Sequence, residues 1–178
     1  MYLNAKTFFS YRYGTFSTEE LVKEAVEVGA PALALTYINN TCGLWDFYEL
    51  CTRASIQPVL GCEIRNGDQF LYVLLAKSTT GLLQINRFLT HHLQSKEPFP
   101  ERPQLGDDVW VIYPLGLYNP AQLGEHELIG IQPSDVTKLY AIDVTGHPTK
   151  FVVRQPVTFK TKIHYNLHRL LRAIDHNI

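Results

Sequence analysis

No stretch of this 178-residue chain approaches the roughly 20 consecutive apolar residues that a membrane-spanning helix needs. Its start, Met-Tyr-Leu-Asn, has neither the basic nor the apolar region of a secretory signal, so the reading is a cytoplasmic protein without membrane contact. Cysteine is scarce. Cys42, Cys51 and Cys62 are odd in number and lack paired metal-ligand spacing, which argues against a disulfide framework and for buried free thiols in a reducing compartment. No Gly-rich loop of the dinucleotide or phosphate-binding kind occurs, so a flat doubly wound sheet fits less well than a curled sheet or barrel. With 46% hydrophobic and 19% charged residues the composition is that of one globular domain with a sizeable core, neither disordered nor fibrous.

The net charge of −1 conceals an asymmetry. From Lys150 onward six basic residues face one acid, Asp175, giving +5; the remaining 10 basic and 16 acidic groups give −6. A basic tail on an acidic body suggests that Lys160, Lys162, Arg169 and Arg172 face something negative, the alternative being a solvated helix face.

The rest of the chain is organised around Ala32 to Asn40, Ala-Leu-Ala-Leu-Thr-Tyr-Ile-Asn-Asn, an apolar run that ends abruptly in polar residues. A strand buried on both faces of a parallel sheet reads this way, and its C-terminal end is where α/β folds gather ligands and catalytic groups. Before it, Tyr2 to Thr7 reads as a strand and Phe8 to Tyr13 as an aromatic loop packing around the barrel mouth. Ser17-Thr18-Glu19-Glu20 is a capping box for a helix stopped by Gly29, with Leu21, Val22, Ala25 and Val26 inward. After it, Thr41 is expected to cap a helix over Leu44 to Ala54 with Leu44, Phe47, Tyr48 and Cys51 inward. Strand Pro58 to Ile64 turns at Asn66-Gly67 into Phe70 to Ala76, and a helix follows from Ser78 or Thr79 to Gln94. Short strands are expected at Val109 to Tyr113, Glu127 to Ile131, Tyr140 to Val144 and Phe151 to Val153. An amphipathic helix over Tyr165 to Asp175, with Leu167, Leu170, Leu171 and Ile174 on one face, ends the chain looking for further partners. Strands alternating with helices give a mainly parallel α/β architecture.

Several isolated residues have plain readings. His164 and His168 are spaced i, i+4 as zinc ligands can be, but no third ligand is evident, and they read as surface histidines. His91-His92 suits a helix end. Cys62 has no histidine partner placed by the sequence and reads as a buried strand thiol.

The motifs, taken in order, resemble those of the polymerase-and-histidinol-phosphatase (PHP) domain found at the N-terminus of the bacterial DNA polymerase III alpha subunit. Tyr-Leu-Asn-Ala-Lys-Thr-Phe-Phe-Ser-Tyr is similar to that family's His-x-His-(Ser/Thr)-x-Tyr-Ser segment, and Ala-Leu-Thr-Tyr-Ile-Asn to its Ala-Leu-Thr-Asp-His. Ile-Gln-Pro-Val-Leu-Gly-Cys-Glu-Ile, Ile56 to Ile64, is similar to Ile-x-Pro-(Ile/Val)-x-Gly-x-Glu, and Gln-Pro-Val-Thr-Phe stands where Asn-Asp-Val-His-Tyr is frequent. The resemblance implies a distorted (β/α)7-type barrel, with residues 1–178 forming one PHP domain cut from a longer polymerase chain. It also implies a cluster of divalent metals at the barrel mouth.

Carried over position by position, the ligands are almost all replaced: the histidines of the first motif by Asn4 and Lys6, the Asp and His of the second by Tyr37 and Ile38, and the late Asp and His by Pro156 and Thr158. Glu63 alone is retained. Two unit charges about 4 Å apart interact by roughly 4 kcal/mol at an effective dielectric near 20, and a dication doubles that, so Lys6 would oppose metal binding. The expectation is a vestigial cleft with no catalytic residue and no metal, in which Lys6 pairs with Glu63. The alternative is that Lys6 snorkels to solvent while Glu63 accepts backbone hydrogen bonds. The function so implied is a catalytically inactive scaffold for a DNA-directed DNA polymerase whose own Mg2+ and aspartates lie outside this chain. Its partners would be the remainder of the polymerase chain, DNA through the full-length enzyme, and other replisome subunits. An active metal-dependent phosphoesterase or 3′–5′ exonuclease, and a stand-alone protein-interaction module, are the competing readings.

Overall fold

A computed structural model describes residues 2–178. In chain order the elements are β1 Tyr2–Ala5, α1 Thr18–Glu27, β2 Ala32–Ile38, α2 Leu44–Arg53, β3 Gln57–Asn66, β4 Gln69–Ala76, α3 Thr79–Ser95, β5 Val109–Pro114, β6 Glu127–Ile131, β7 Phe151–Val153, β8 Pro156–Val157 and α4 Lys162–His176. The strands form one sheet in the order β7-β6-β5-β4-β3-β2-β1-β8, parallel throughout except where β4 runs against β3 and β5. Its two edges, β7 and β8, are joined through only Arg154 and Gln155. At 3.8 Å per residue their facing ends lie within about 11 Å, so the sheet curls almost into a ring. The expected distorted α/β barrel is the observed architecture.

Local chemistry explains most boundaries. Ser17 Oγ accepts from Glu20 N at 3.1 Å while Glu20 Oε2 accepts from Ser17 N at 2.9 Å, the reciprocal cap expected for α1. Gly29, at φ +64°, ends it. Ser78 caps α3 by accepting from Gly81 N. The cap of α2 differs from expectation: Gly43 occupies it in the left-handed region, and Thr41 donates instead to Asn86 Oδ1 at 2.7 Å.

Two cores flank the sheet and a third lies inside it. Leu21, Val22, Ala25, Phe47 and Cys51 pack α1 and α2 onto the outer faces of β1 to β3, and Ile85 and Leu89 pack α3 against β3 to β5. Leu3, Ala34, Val73, Leu75 and Ile112 fill the barrel interior. Val26 and Tyr48, expected inward, are exposed: each lies at the edge of its helix stripe, where one further residue of rotation reaches solvent. Cys42 is likewise exposed, unlike Cys51 and Cys62. No strand forms over Tyr140 to Val144. Pro133 opens a 3-10 turn through Ala141 there, and Tyr140 points to solvent.

Candidate functional site at the barrel mouth

The site begins with a slip in register. Between Tyr2 and Ala5 the pairing of β1 with β2 shifts, so Leu3 and Asn4 both contact the barrel interior, Leu3 against Ala34 and Asn4 against Thr36. Beyond Asn4 the interior becomes polar, at the C-terminal ends of the parallel strands.

Glu63, on β3, is the centre of that layer. Lys6 Nζ lies 2.7 Å from its Oε2, both side chains being 1% exposed. Asn4 Nδ2 donates to the same oxygen at 2.8 Å, and Arg65 Nε donates to Oε1 at 2.6 Å. Lys6 also donates to Asn4 Oδ1 at 2.5 Å, an oxygen that accepts from Thr36 Oγ1 at 2.9 Å. The Lys6–Glu63 ion pair expected from the sequence therefore forms, and Lys6 does not snorkel.

The electrostatics follow. Burial by itself would push the Glu63 carboxyl up, but the charges of Lys6 and Arg65 outweigh burial and hold it down at about 2. Burial pulls the Lys6 ammonium down, against the upward pull of Glu63. The two directions oppose one another over whether the pair is ionised. The carboxylate decides it, because Arg65 supplies a second cation that does not release its proton. Lys6 Nζ, moreover, meets two oxygen acceptors and no donor.

Two further cations complete the layer. Arg65 lies 4.7 Å from the Tyr13 ring centroid and donates from Nη2 to the Tyr13 hydroxyl at 3.2 Å. Lys6 and Arg172 approach the same ring at 5.8 and 5.4 Å. Arg154 leaves the end of β7, its guanidinium 4.2 Å from the Phe70 centroid. Gly130 opposite it leaves the room: a Cβ there would come within 2.9 Å of both Arg154 Cβ and Ile112 Cγ2.

Not every expected cleft residue joins this network. Tyr37 is buried on the outer side of the sheet, where its hydroxyl accepts from Thr7 Oγ1 at 2.8 Å, because β2 sends successive side chains to opposite faces and Thr36 takes the interior one. Ile38 borders a shallow cavity at the mouth. Pro156 pairs β8 with Asn4, and Thr158 is buried with its carbonyl accepting from Thr15 Oγ1. Of the basic segment, Lys160 pairs with Glu24, while Arg172 reaches Asp68 and Asp175, each at 2.5 Å. Lys162 and Arg169 lie over the Tyr165 ring. His164 and His168 are half-buried rather than surface residues: His164 stacks on Phe16 and His168 Nδ1 donates to Tyr13 O at 2.7 Å.

The sequence places Thr36 at the mouth and Tyr13 in the aromatic loop around it, but not Arg65 or Arg154. The period-two alternation of β3 puts Arg65 on the face of Glu63, a signal present in the sequence. Arg154 carried none, because its placement depends on how β7 meets β8.

Among the described residues no group of three or more His, Cys, Asp and Glu side chains could hold a metal ion. An ammonium, a carboxamide, guanidinium groups and one carboxylate with both oxygens engaged do not fit a cluster of dications, which requires several anionic or imidazole donors.

A curled, mainly parallel sheet with charged side chains gathered at its C-terminal mouth defines an α/β barrel of the kind that carries its site there. More particularly, the chain belongs to the PHP domain family, whose model matches residues 3–177. It is 34% identical over 98 residues to an error-prone DNA polymerase of Symbiobacterium thermophilum, a match covering 55% of this chain and 9% of that one. It is 31% identical over 100 residues to the DNA polymerase III subunit alpha of Escherichia coli, covering 53% and 9%. With the same subunit of Chlamydia pneumoniae it shares 46% over 56 residues, covering 30% and 4%. The chain thus spans less than a tenth of the curated relatives it matches. An amidohydrolase from Chromobacterium violaceum, solved with bound sulfate and no metal, shares the fold at a TM-score of 0.56 and 12% identity, over 88% of this chain and 87% of that one. No helix of the described residues is long and apolar enough to cross a membrane.

Proposed function

We propose that this PHP domain is catalytically inactive and serves as a scaffold at the N-terminus of a longer replicative polymerase chain of the DNA polymerase III alpha type. One observation carries the reading. The ammonium of Lys6 is bonded to Glu63, the one buried carboxylate among the described residues, where an active phosphoesterase would need a cation-binding cluster. The domain itself then uses no cofactor, and nucleotidyl transfer with Mg2+ belongs to the remainder of the chain. That remainder is its first partner, with DNA and other replisome subunits reached through the full-length enzyme in the cytoplasm. The exposed Ile163, Leu170 and Ile174 of α4, with Lys162 and Arg169 beside them, support a partner that covers this helix.

The test is metal content and phosphodiesterase activity of the purified protein after dialysis against Mn2+ or Zn2+. The expected result is no stoichiometric metal and no cleavage of a single-stranded oligonucleotide or a chromogenic phosphodiester. Two or more ions per chain, or cleavage that Glu63→Ala abolishes, would establish the competing reading of an active phosphoesterase or exonuclease.

A further inference from the structure

Helix α4 is inside out. Its apolar stripe, Ile163, Leu167, Leu170 and Ile174, is turned to solvent, Ile163 and Ile174 being 77% and 54% exposed. None of its residues is buried, and its half-buried side chains are chiefly His164, Tyr165, His168, Leu171 and Arg172. An amphipathic helix seated by its apolar face would show the reverse. Area removed from water is therefore not the main force that holds α4.

The two ends of the helix are attached differently. At its start His164 stacks on Phe16, and Tyr165 meets the ring of Phe159, which precedes the helix. In its middle His168 Nδ1 donates to Tyr13 O at 2.7 Å. The last turn is held by charge. Arg172 bridges Asp68, in the turn between β3 and β4, and Asp175, which reaches Arg12 at 3.4 Å. Arg172 Nη2 also donates to His176 Nε2 at 2.7 Å, His176 Nδ1 lies 3.5 Å from Asp68, and the Arg172 guanidinium is 5.4 Å from the Tyr13 centroid. Arg12, Asp68, Asp175 and His176 are 34% to 62% exposed, so water and salt compete for these links, each of which contributes little alone. A cavity of about 260 Å³ lies under this turn. The barrel side gives it Tyr13 and Arg65, the β3–β4 turn gives Asp68, and α4 gives Arg172, Asp175 and His176.

We propose that α4 is a strap latched over the barrel mouth by the chain of charges Arg12–Asp175–Arg172–Asp68, and that loosening this latch swings the helix off the cavity about its aromatic first turn. Release breaks the His168–Tyr13 bond and opens Tyr13 and Arg65 to water; closure shields the Lys6–Glu63 pair behind them. The strap concerns access to the mouth, whatever the mouth holds.

The experiment places spin labels on the exposed native Cys42 and on Ile174→Cys, an exposed position in the last two turns of α4; Cys51 and Cys62 are buried and stay unlabelled. Distance distributions are read at low and high NaCl, since the screening length falls from about 10 Å at 0.1 M to about 3 Å at 1 M. The expected result is one narrow distance at low salt and a second, longer one at high salt, its share rising at least about threefold. Arg172→Gln and Asp68→Asn should each give the high-salt distribution at low salt, and the double variant should add nothing further, because both cut one link. Amide exchange in α4 should stay slow at both salts. A distribution that neither salt nor Arg172→Gln alters would overturn the latch. Fast exchange throughout α4 at high salt would overturn the swing, because the helix would then be melting rather than moving. Stoichiometric metal in the dialysed protein would overturn the metal-free reading of the mouth and leave the strap standing.

Discussion

Below Asn4 the barrel is filled by Leu3, Ala34, Val73, Leu75 and Ile112; above it the same strands send in Lys6, Thr36, Glu63, Arg65 and, from the end of β7, Arg154. The lower layer is held by area removed from water, worth about 1.5–3 kcal/mol for a fully buried large aliphatic side chain and indifferent to direction. The upper layer is held by charge, where desolvation costs several kcal/mol per ion and only well-placed partners offset it. The first is a source of stability that degrades gradually under substitution. The second adds little net stability while intact and fails sharply when one member is removed. The mouth therefore works as a unit: with Lys6 buried there, Glu63 and Asn4 are needed to receive it.

The largest expected effect tests that asymmetry. Glu63→Ala leaves Lys6 and Arg65 buried without their carboxylate and should cost about 3–5 kcal/mol in urea unfolding. Ile112→Val in the lower layer should cost only about 1 kcal/mol. If Glu63→Ala costs less than the isoleucine change, the polar layer is not the strongly coupled unit its hydrogen bonds describe.

Acid separates the layers next. The Glu63 carboxyl lies at about 2 in the folded protein against an ordinary 4.5, so its folded value is depressed. Its contribution is complete above pH 4.5 and is lost as pH falls toward 2. The gap corresponds to about 3 kcal/mol. Stability measured from pH 5 to pH 2 should fall by about that amount more in the wild type than in Glu63→Gln. Ile112→Val should keep the wild-type slope, because nothing in the lower layer titrates.

The same contrast explains what could be read from the sequence. The apolar lower layer was legible because Ala32 to Ile38 reads as a buried parallel strand, and its neighbours followed from Gly29, the Ser17 cap and the Asn66-Gly67 turn. The Lys6–Glu63 pair was legible because its members occupy matching motif positions on parallel strands. Arg65 was within reach of strand alternation, since it follows Glu63 by two. Tyr37 takes the outer face, against the motif-based expectation, because β2 alternates and Thr36 and Tyr37 face opposite ways. Arg154 was not legible at all. Its position depends on a two-residue link between β7 and β8, on the 3-10 segment Pro133–Ala141 that replaces an expected strand, and on the space beside Gly130.

The smallest effect sharpens the comparison by removing a polar contact that water can replace. Ser17 is half-buried, and its Oγ accepts from Glu20 N at 3.1 Å in the cap of α1. Ser17→Ala should cost about 1 kcal/mol in urea unfolding, since the freed amide turns to solvent instead of remaining unpaired. Asn4, like Ser17, is a neutral side chain, but it holds three hydrogen bonds where Ser17 Oγ holds one, and it is wholly buried between Lys6 and Glu63. The ratio of Asn4→Ala to Ser17→Ala, taken per hydrogen bond lost, therefore measures what burial adds to the loss of a neutral hydrogen-bonding group. A ratio near one would place water inside the mouth and make the upper layer an ordinary solvated surface; a ratio of about three would keep it dry.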